Sequence, residues 1–167
     1  MIPSTAFGDG SHPTTRLCAR AVDLICRQHA PQQVLDVGTG TGVLARLARA
    51  HGAAFVVGTD LEPAALTAAR ANAALDTCPG ELLITQQPPD TWGPRFDLVV
   101  ANILEGVLLA LAPSLVAALA PGGRLLLSGF TPAQTPALRA AFTALGLETE
   151  VQATLEAWTL LQFRAQG

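Results

Sequence analysis

Apolar and polar positions along the chain change period several times, and each change marks an element. Leu17, Cys18, Ala21, Val22 and Ile25 recur at helical spacing and predict a helix over residues 13–29, with Pro13 in its first turn. Residues 33–37, QVLDV, read as a short buried strand. A glycine-rich turn follows, then a helix over 42–51 with Val43, Leu44, Leu47 and Ala48 on one face and Gly52 placed to end it. Strand 54–59, helix 63–75, strand 81–85 and a proline-rich loop come next. Residues 96–101, FDLVVA, form a near-continuous apolar run, as expected of a strand covered on both faces. A helix over 105–119, bent or restarted at Pro113, ends in a Pro-Gly-Gly turn at 121–123. Strand 124–129, helix 135–145 and a last strand pair, 147–153 and 157–164, complete the pattern. The short connection within that pair predicts an antiparallel hairpin. The expected fold is α/β and Rossmann-like: a mostly parallel seven-stranded sheet with a terminal antiparallel hairpin and helices on both faces.

Composition agrees with one domain over residues 1–167, residues 1–12 being an irregular lead-in. Half of the 167 residues are hydrophobic and 14% are charged, ample for a core. The net charge is -3, and the ten basic residues are all arginine, scattered along the chain. Without a basic stripe, direct nucleic-acid binding is not expected. With no lysine, the chain offers no lysine side chain of its own as a methyl acceptor. Cys18, Cys26 and Cys78 show no CxxC spacing, which suits a reducing cytoplasm, with Cys18 and Cys26 as core residues. His12, His29 and His51 lack metal-ligand spacing, so no metal is expected. Neither a signal peptide nor a membrane-spanning helix is predicted.

The strongest chemical motif is Asp36-Val37-Gly38-Thr39-Gly40-Thr41-Gly42, between a strand and a helix. Glycines there allow a tight turn and close approach of a ligand to the backbone. Asp60, at the end of the next strand, can accept hydrogen bonds from both hydroxyls of a ribose, or cap the helix that begins near Pro63. The dinucleotide fingerprint GxGxxG fails at Val43, and no GK[ST] phosphate loop is present. The arrangement resembles the first motif of class I S-adenosylmethionine-dependent methyltransferases, in which the acid helps hold the methionine amino group. S-adenosyl-L-methionine is therefore the expected cofactor, with Asp36, Gly38, Gly40, Gly42 and Asp60 binding it.

Asn102 follows the central strand, where open α/β sheets bind ligands, although Asn is also a good helix cap. Base-modifying enzymes often carry [DN]PP[YFW] at this place, but here the sequence is Asn102-Ile103-Leu104-Glu105. Without the prolines and the aromatic ring, a flexible amine is the better acceptor. Asn102 is the candidate catalytic residue, able to accept a hydrogen bond from that amine. Asp9, His12 and Glu105 are candidate proton acceptors, each equally readable as a cap or a solvent-facing residue.

The segment Ala6-Phe7-Gly8-Asp9-Gly10-Ser11-His12-Pro13-Thr14-Thr15, with the later VVANIL and PGGRLLLSG stretches, resembles the PrmA-type ribosomal-protein methyltransferases over nearly the whole chain. The resemblance implies methyl transfer to lysine side chains and an N-terminal amine of a ribosomal protein. It also implies cofactor contacts from Thr15, Gly38, Asp60 and Asn102. Asp9 and Ser11 replace the family's usual threonines, and Gln86 and Gln87 stand where an acid often holds the adenine amino group. The family's N-terminal substrate-recognition domain has no counterpart here. That leaves two further readings: a methyltransferase for a small molecule or another protein, and a non-catalytic cofactor-binding module.

Overall fold

The computed structural model describes residues 10–167. Its strands are β1 Gln33–Val37, β2 Phe55–Thr59, β3 Glu81–Thr85, β4 Phe96–Asn102, β5 Leu119–Phe130, β6 Glu148–Leu155 and β7 Trp158–Arg164. Its α-helices are α1 Pro13–His29, α2 Val43–Ala50, α3 Pro63–Ala73, α4 Glu105–Ala117 and α5 Thr135–Ala144. The strands form a single sheet in the order β3-β2-β1-β4-β5-β7-β6. Strands β1 to β5 pair in parallel, while β7 runs antiparallel to both β5 and β6. This is the expected fold, with the hairpin closing one edge. No helix among the described residues is long and apolar enough to cross a membrane.

Alternation along the strands divides the core in two. Val34, Val56, Leu98, Val100 and Leu126 face α1 and α2, meeting Val22, Ile25, Leu44 and Ala48. Leu35, Val57, Val99, Leu125, Leu127 and Phe163 point the other way, onto Leu108 and Leu115 of α4 and Leu138 and Phe142 of α5. Cys18 and Cys26 are buried on the first face, as expected. α3 covers the β3 edge through Leu66, Ala69 and Ile84, and Arg70 of α3 donates to the Ile84 carbonyl at 2.9 Å. That bond occupies a group which an exposed edge would offer to another strand.

Most other boundaries shift by a residue or two, and three differences have a physical cause. β5 begins at Leu119, before the Pro-Gly-Gly segment rather than after it. Phe96 pairs with Leu119 and Leu98 with Arg124, so residues 120–123 form a bulge inside the strand, with Gly122 at φ +72°. The turn chemistry is genuine, but the backbone just past β7 holds it against the sheet: Ala165 N donates to Gly123 O at 2.8 Å. α4 stops at Ala117 and is one uninterrupted helix through Pro113, which lies on its exposed side. α2 starts at Val43, because Gly42 is its left-handed N-cap.

One ion-pair group ties the helices of the first face together. Arg46 of α2 holds Asp76, just past α3, through two bonds of 2.7 and 2.6 Å, and Arg49 reaches the same carboxylate at 3.1 Å. All three side chains are mostly buried, and Arg46 holds the Asp76 carboxyl below its ordinary value. Removing the acid leaves two guanidinium groups in low dielectric without their partner. Asp76→Ala should lower the unfolding free energy by about 2 kcal/mol or more, read as a lower denaturant midpoint at unchanged slope. A loss below about 0.5 kcal/mol would show that the group is merely a surface ion pair.

Candidate active site

The glycine turn is built by convergence of β1 and β2. The amides of Gly38 and Thr39 both donate to the Thr59 carbonyl, at 2.8 and 2.9 Å, which pins the turn to the tip of β2. Gly38, Gly40 and Gly42 all have left-handed φ, +70°, +56° and +81°. Two of them also meet close neighbours. A Cβ on Gly38 would lie 2.4 Å from Ile103 Cγ2, and one on Gly42 would lie 3.3 Å from Ala69 Cβ. The alternating glycines therefore serve both the backbone path and packing.

Asp36 projects from β1 toward α2, on the same face as Val34. Its Oδ2 accepts from Thr39 Oγ1 at 2.7 Å and from the Ala45 amide at 3.1 Å, linking strand, turn and helix. The side chain is 2% exposed, and its carboxyl is pushed up to about 6. Burial is the main cause, opposed by those two hydrogen bonds and reinforced by the nearby charge of Asp60.

Asp60 is only partly buried at the tip of β2. Its Oδ2 accepts from the Gly40 amide at 2.9 Å and its Oδ1 from the Glu62 amide at 3.0 Å. The cap position of α3 is Glu62, whose side chain makes no cap bond, so Asp60 steadies the lead-in from two residues before the cap. It thus joins the glycine turn to the start of α3.

Asn102 is the last residue of β4 and pairs in register with Ser128. It is not a helix cap, since Leu104 holds that position in α4. Its Nδ2 donates to Thr15 Oγ1 at 3.5 Å, while its Oδ1 is buried with no hydrogen-bond partner. An unpaired buried oxygen is costly and points to a donor that arrives with a ligand. Thr15 is 2% exposed in the first turn of α1, so the structure brings this family-implied residue onto Asn102.

Sequence reasoning missed the wedge beneath Asn102. Ile103 fills the space that Gly38 leaves open, and its backbone abuts Gly129, where a Cβ would lie 2.3 Å from the Ile103 carbonyl oxygen. Gly129 has φ +100°. A glycine directly after the apolar run of β5 was the available signal, but it reads equally well as a plain strand end.

The remaining candidates are dispersed. His12 caps α1, accepting from the Thr14 amide at 3.3 Å, and packs edge-on against Trp158. Glu105 opens α4 and accepts from Gln134 Nε2 at 2.7 Å. Asp9 lies outside the described residues, as does the Ala6–Asp9 part of the sequence motif. Gln86 donates to the Leu61 carbonyl at 3.1 Å, and the Gln87 carbonyl accepts from Thr59 Oγ1 at 2.6 Å. This loop therefore borders the Asp60 end of the site. No group of three His, Cys, Asp or Glu side chains among the described residues is arranged to hold a metal ion.

Residues 1–166 match the family model described as ribosomal protein L11 methyltransferase (PrmA). Curated ribosomal protein L11 methyltransferases from Geobacter sulfurreducens and Chromohalobacter salexigens are each 41% identical, over 99% and 98% of this chain respectively. The chain spans about half the length of these relatives, 54% of each. A crystal structure of the ribosomal protein L11 methylase from Lactobacillus delbrueckii subsp. bulgaricus superposes with a TM-score of 0.86 at 32% identity, covering 99% of this chain and 83% of that one. Magnesium protoporphyrin IX methyltransferase from Synechocystis, solved with bound SAM, shares the fold at 21% identity and a TM-score of 0.71, over 96% of this chain and 88% of that one.

Two outcomes follow from this geometry. Gly38→Ala should destabilise the fold by about 2 kcal/mol or more, through backbone strain and the clash with Ile103. Ile103→Ala should recover part of that loss in a double-mutant cycle, and strict additivity would disprove the contact. The second outcome concerns pH. Because folding raises the Asp36 carboxyl above its ordinary value, its contribution is complete below about pH 4 and is lost as pH rises through about 6. Asp36→Asn should remove that loss, flattening the stability curve between pH 4 and 7 by about 3 kcal/mol in denaturant titrations. An unchanged curve would show that Asp36 is not the titrating group.

Proposed function

The chain belongs to the ribosomal protein L11 methyltransferase (PrmA) family, and on that premise we propose that it is an S-adenosylmethionine-dependent protein N-methyltransferase. Its acceptors are the lysine side chains and N-terminal amine of a ribosomal protein of the L11 type. The observation that carries this reading is the buried, unpartnered Oδ1 of Asn102 at the tip of β4, beside the left-handed glycine turn.

The residues present suit the cofactor. The turn through Gly38, Gly40 and Gly42 gives its amino-acid end a close backbone approach, with Asp36 behind it. Asp60 offers a carboxylate to the ribose hydroxyls. Gln86 and Gln87 border the adenine side with amides instead of an acid. When bound, S-adenosylmethionine supplies a methyl group on a cationic sulfur, open to attack by a nucleophile.

An ammonium has no lone pair, so the site must receive the amine in its neutral form. Burial around Asn102 Oδ1 favours that form by desolvation. Asn102 Oδ1 accepts one N–H of the amine and so aims the lone pair, a positioning role. Thr15 takes the Asn102 amide nitrogen, leaving the oxygen to face the acceptor. His12 is committed to the α1 cap and the Glu105 carboxylate to Gln134, so the proton released passes to solvent. The three free cysteines suit work in the cytoplasm.

The test is calorimetric titration with S-adenosylhomocysteine together with transfer of labelled methyl groups to purified ribosomal protein L11. Asp60→Ala should weaken cofactor binding about tenfold or more. Asn102→Ala should lower kcat by about tenfold or more while the protein keeps its melting temperature. No S-adenosylhomocysteine binding, or preferential binding of a nicotinamide dinucleotide, would overturn the proposal.

A further inference from the structure

The role proposed for Asn102 depends on which end of its amide faces the acceptor. Oδ1 turned outward accepts an N–H of the amine. Nδ2 turned outward would donate to the amine nitrogen instead, tying up the lone pair that attacks the methyl group. The orientation is fixed by donation from Nδ2 to Thr15 Oγ1, and at 3.5 Å that bond is long and weak. It cannot by itself hold the first turn of α1 in place. The buried apolar anchors of α1 begin only at Leu17, beyond Thr15.

Support for the first turn comes from the terminal hairpin. Trp158 opens β7 and packs in the same core as Leu160, on the α1 face of the sheet. Its ring meets the His12 ring edge-on, with centroids 5.0 Å apart. His12 in turn holds Thr14 twice, accepting from its amide at 3.3 Å and meeting its Oγ1 at 2.8 Å. Pressure on His12 is therefore passed to the residue before Thr15. The other end of β7's first turn of chain is tied to the acceptor strand. Ser128, the register partner of Asn102, donates its hydroxyl to the Thr159 carbonyl at 2.8 Å. The contacts close a circuit from Trp158 through His12, Thr14 and Thr15 to Asn102, then back through Ser128 and Thr159. In that circuit the Thr15–Asn102 bond is the weak link, and the other contacts set its length. A second contact of the hairpin with α1, Arg16 to Glu156 at 3.9 Å, lies in solvent and holds little.

We propose that Trp158 is a positioning residue for methyl transfer: bearing on His12, it sets Thr15 against Asn102 and so keeps Oδ1 facing the acceptor. This rests on the protein N-methyltransferase reading above. It extends that reading to the hairpin at the sheet edge, which otherwise serves only to close the fold.

Trp158→Leu keeps apolar bulk in the core but leaves no ring on His12, whereas Trp158→Phe keeps a ring. With purified ribosomal protein L11 as substrate, Trp158→Leu should lower kcat about fivefold or more, with KM for that protein within about twofold. Trp158→Phe should restore most of kcat. Arg16→Ala, which removes the exposed ion pair, should leave kcat within about twofold of the parent. His12→Asn keeps a cap on α1 without a ring, and should reproduce the kcat loss without any change in the sheet. Thr15→Val separates positioning from mere structural support. With Oγ1 already gone, adding Trp158→Leu or His12→Asn should cost less than about twofold further. Losses that multiply in the double variants overturn the inference and leave the methyltransferase reading standing. So does a loss carried by KM, which would make Trp158 a substrate contact, and so does parental kcat in Trp158→Leu. A parent chain that binds S-adenosylhomocysteine but never methylates ribosomal protein L11 overturns the substrate assignment, and this inference with it.

Discussion

The close approach of three backbone segments around Ile103 is the constraint on which the site depends. Its side chain occupies the space that Gly38 leaves, and its main chain occupies the space that Gly129 leaves. The Ile103 amide also donates to the Ser128 carbonyl at 3.1 Å. Glycine turn, β4 tip and β5 tip are thereby fixed to one another through contacts too short for any larger residue. Asn102, the residue before, inherits its position from this packing. Its amide nitrogen is then held by Thr15 and its backbone by the β4–β5 register, which leaves the oxygen unpartnered.

Two carboxylates divide the electrostatic work. Asp36 is buried, shares one oxygen between a hydroxyl and an amide, and has a raised proton affinity. Asp60 stays partly solvated and spends its two oxygens on separate amides. Their mutual repulsion adds to the effect of burial on Asp36. Both acids sit at strand ends, where strand direction alone would place them together. Their different surroundings come from alternation: Asp36 points into the α2 interface, while Asp60 lies beyond the last paired residue of its strand.

Much of this was legible in the sequence because it rests on local rules. Apolar runs between glycine and proline breaks located every strand, and the spacing of Asp36, the glycines and Asp60 located the turn that joins β1, β2 and α2. The strand-end argument placed Asn102 correctly against the competing cap reading, since the true cap lies two residues later. What escaped was non-local. The Pro-Gly-Gly segment has turn chemistry, yet backbone partners just past β7 hold it in a strand. Pro113 is a helix breaker that α4 tolerates, because its burial against the sheet outweighs one missing bond. Ile103 and Gly129 are unremarkable residues until the fold brings them into contact.

The bond from the Gly40 amide to Asp60 has a consequence for the nucleoside binding proposed above. Turn and carboxylate are already fixed to each other, yet each carboxylate oxygen spends only one of its lone-pair sites on an amide. Capacity is left over on both oxygens, so a ribose captured there would find its partner held in place with no existing bond to break.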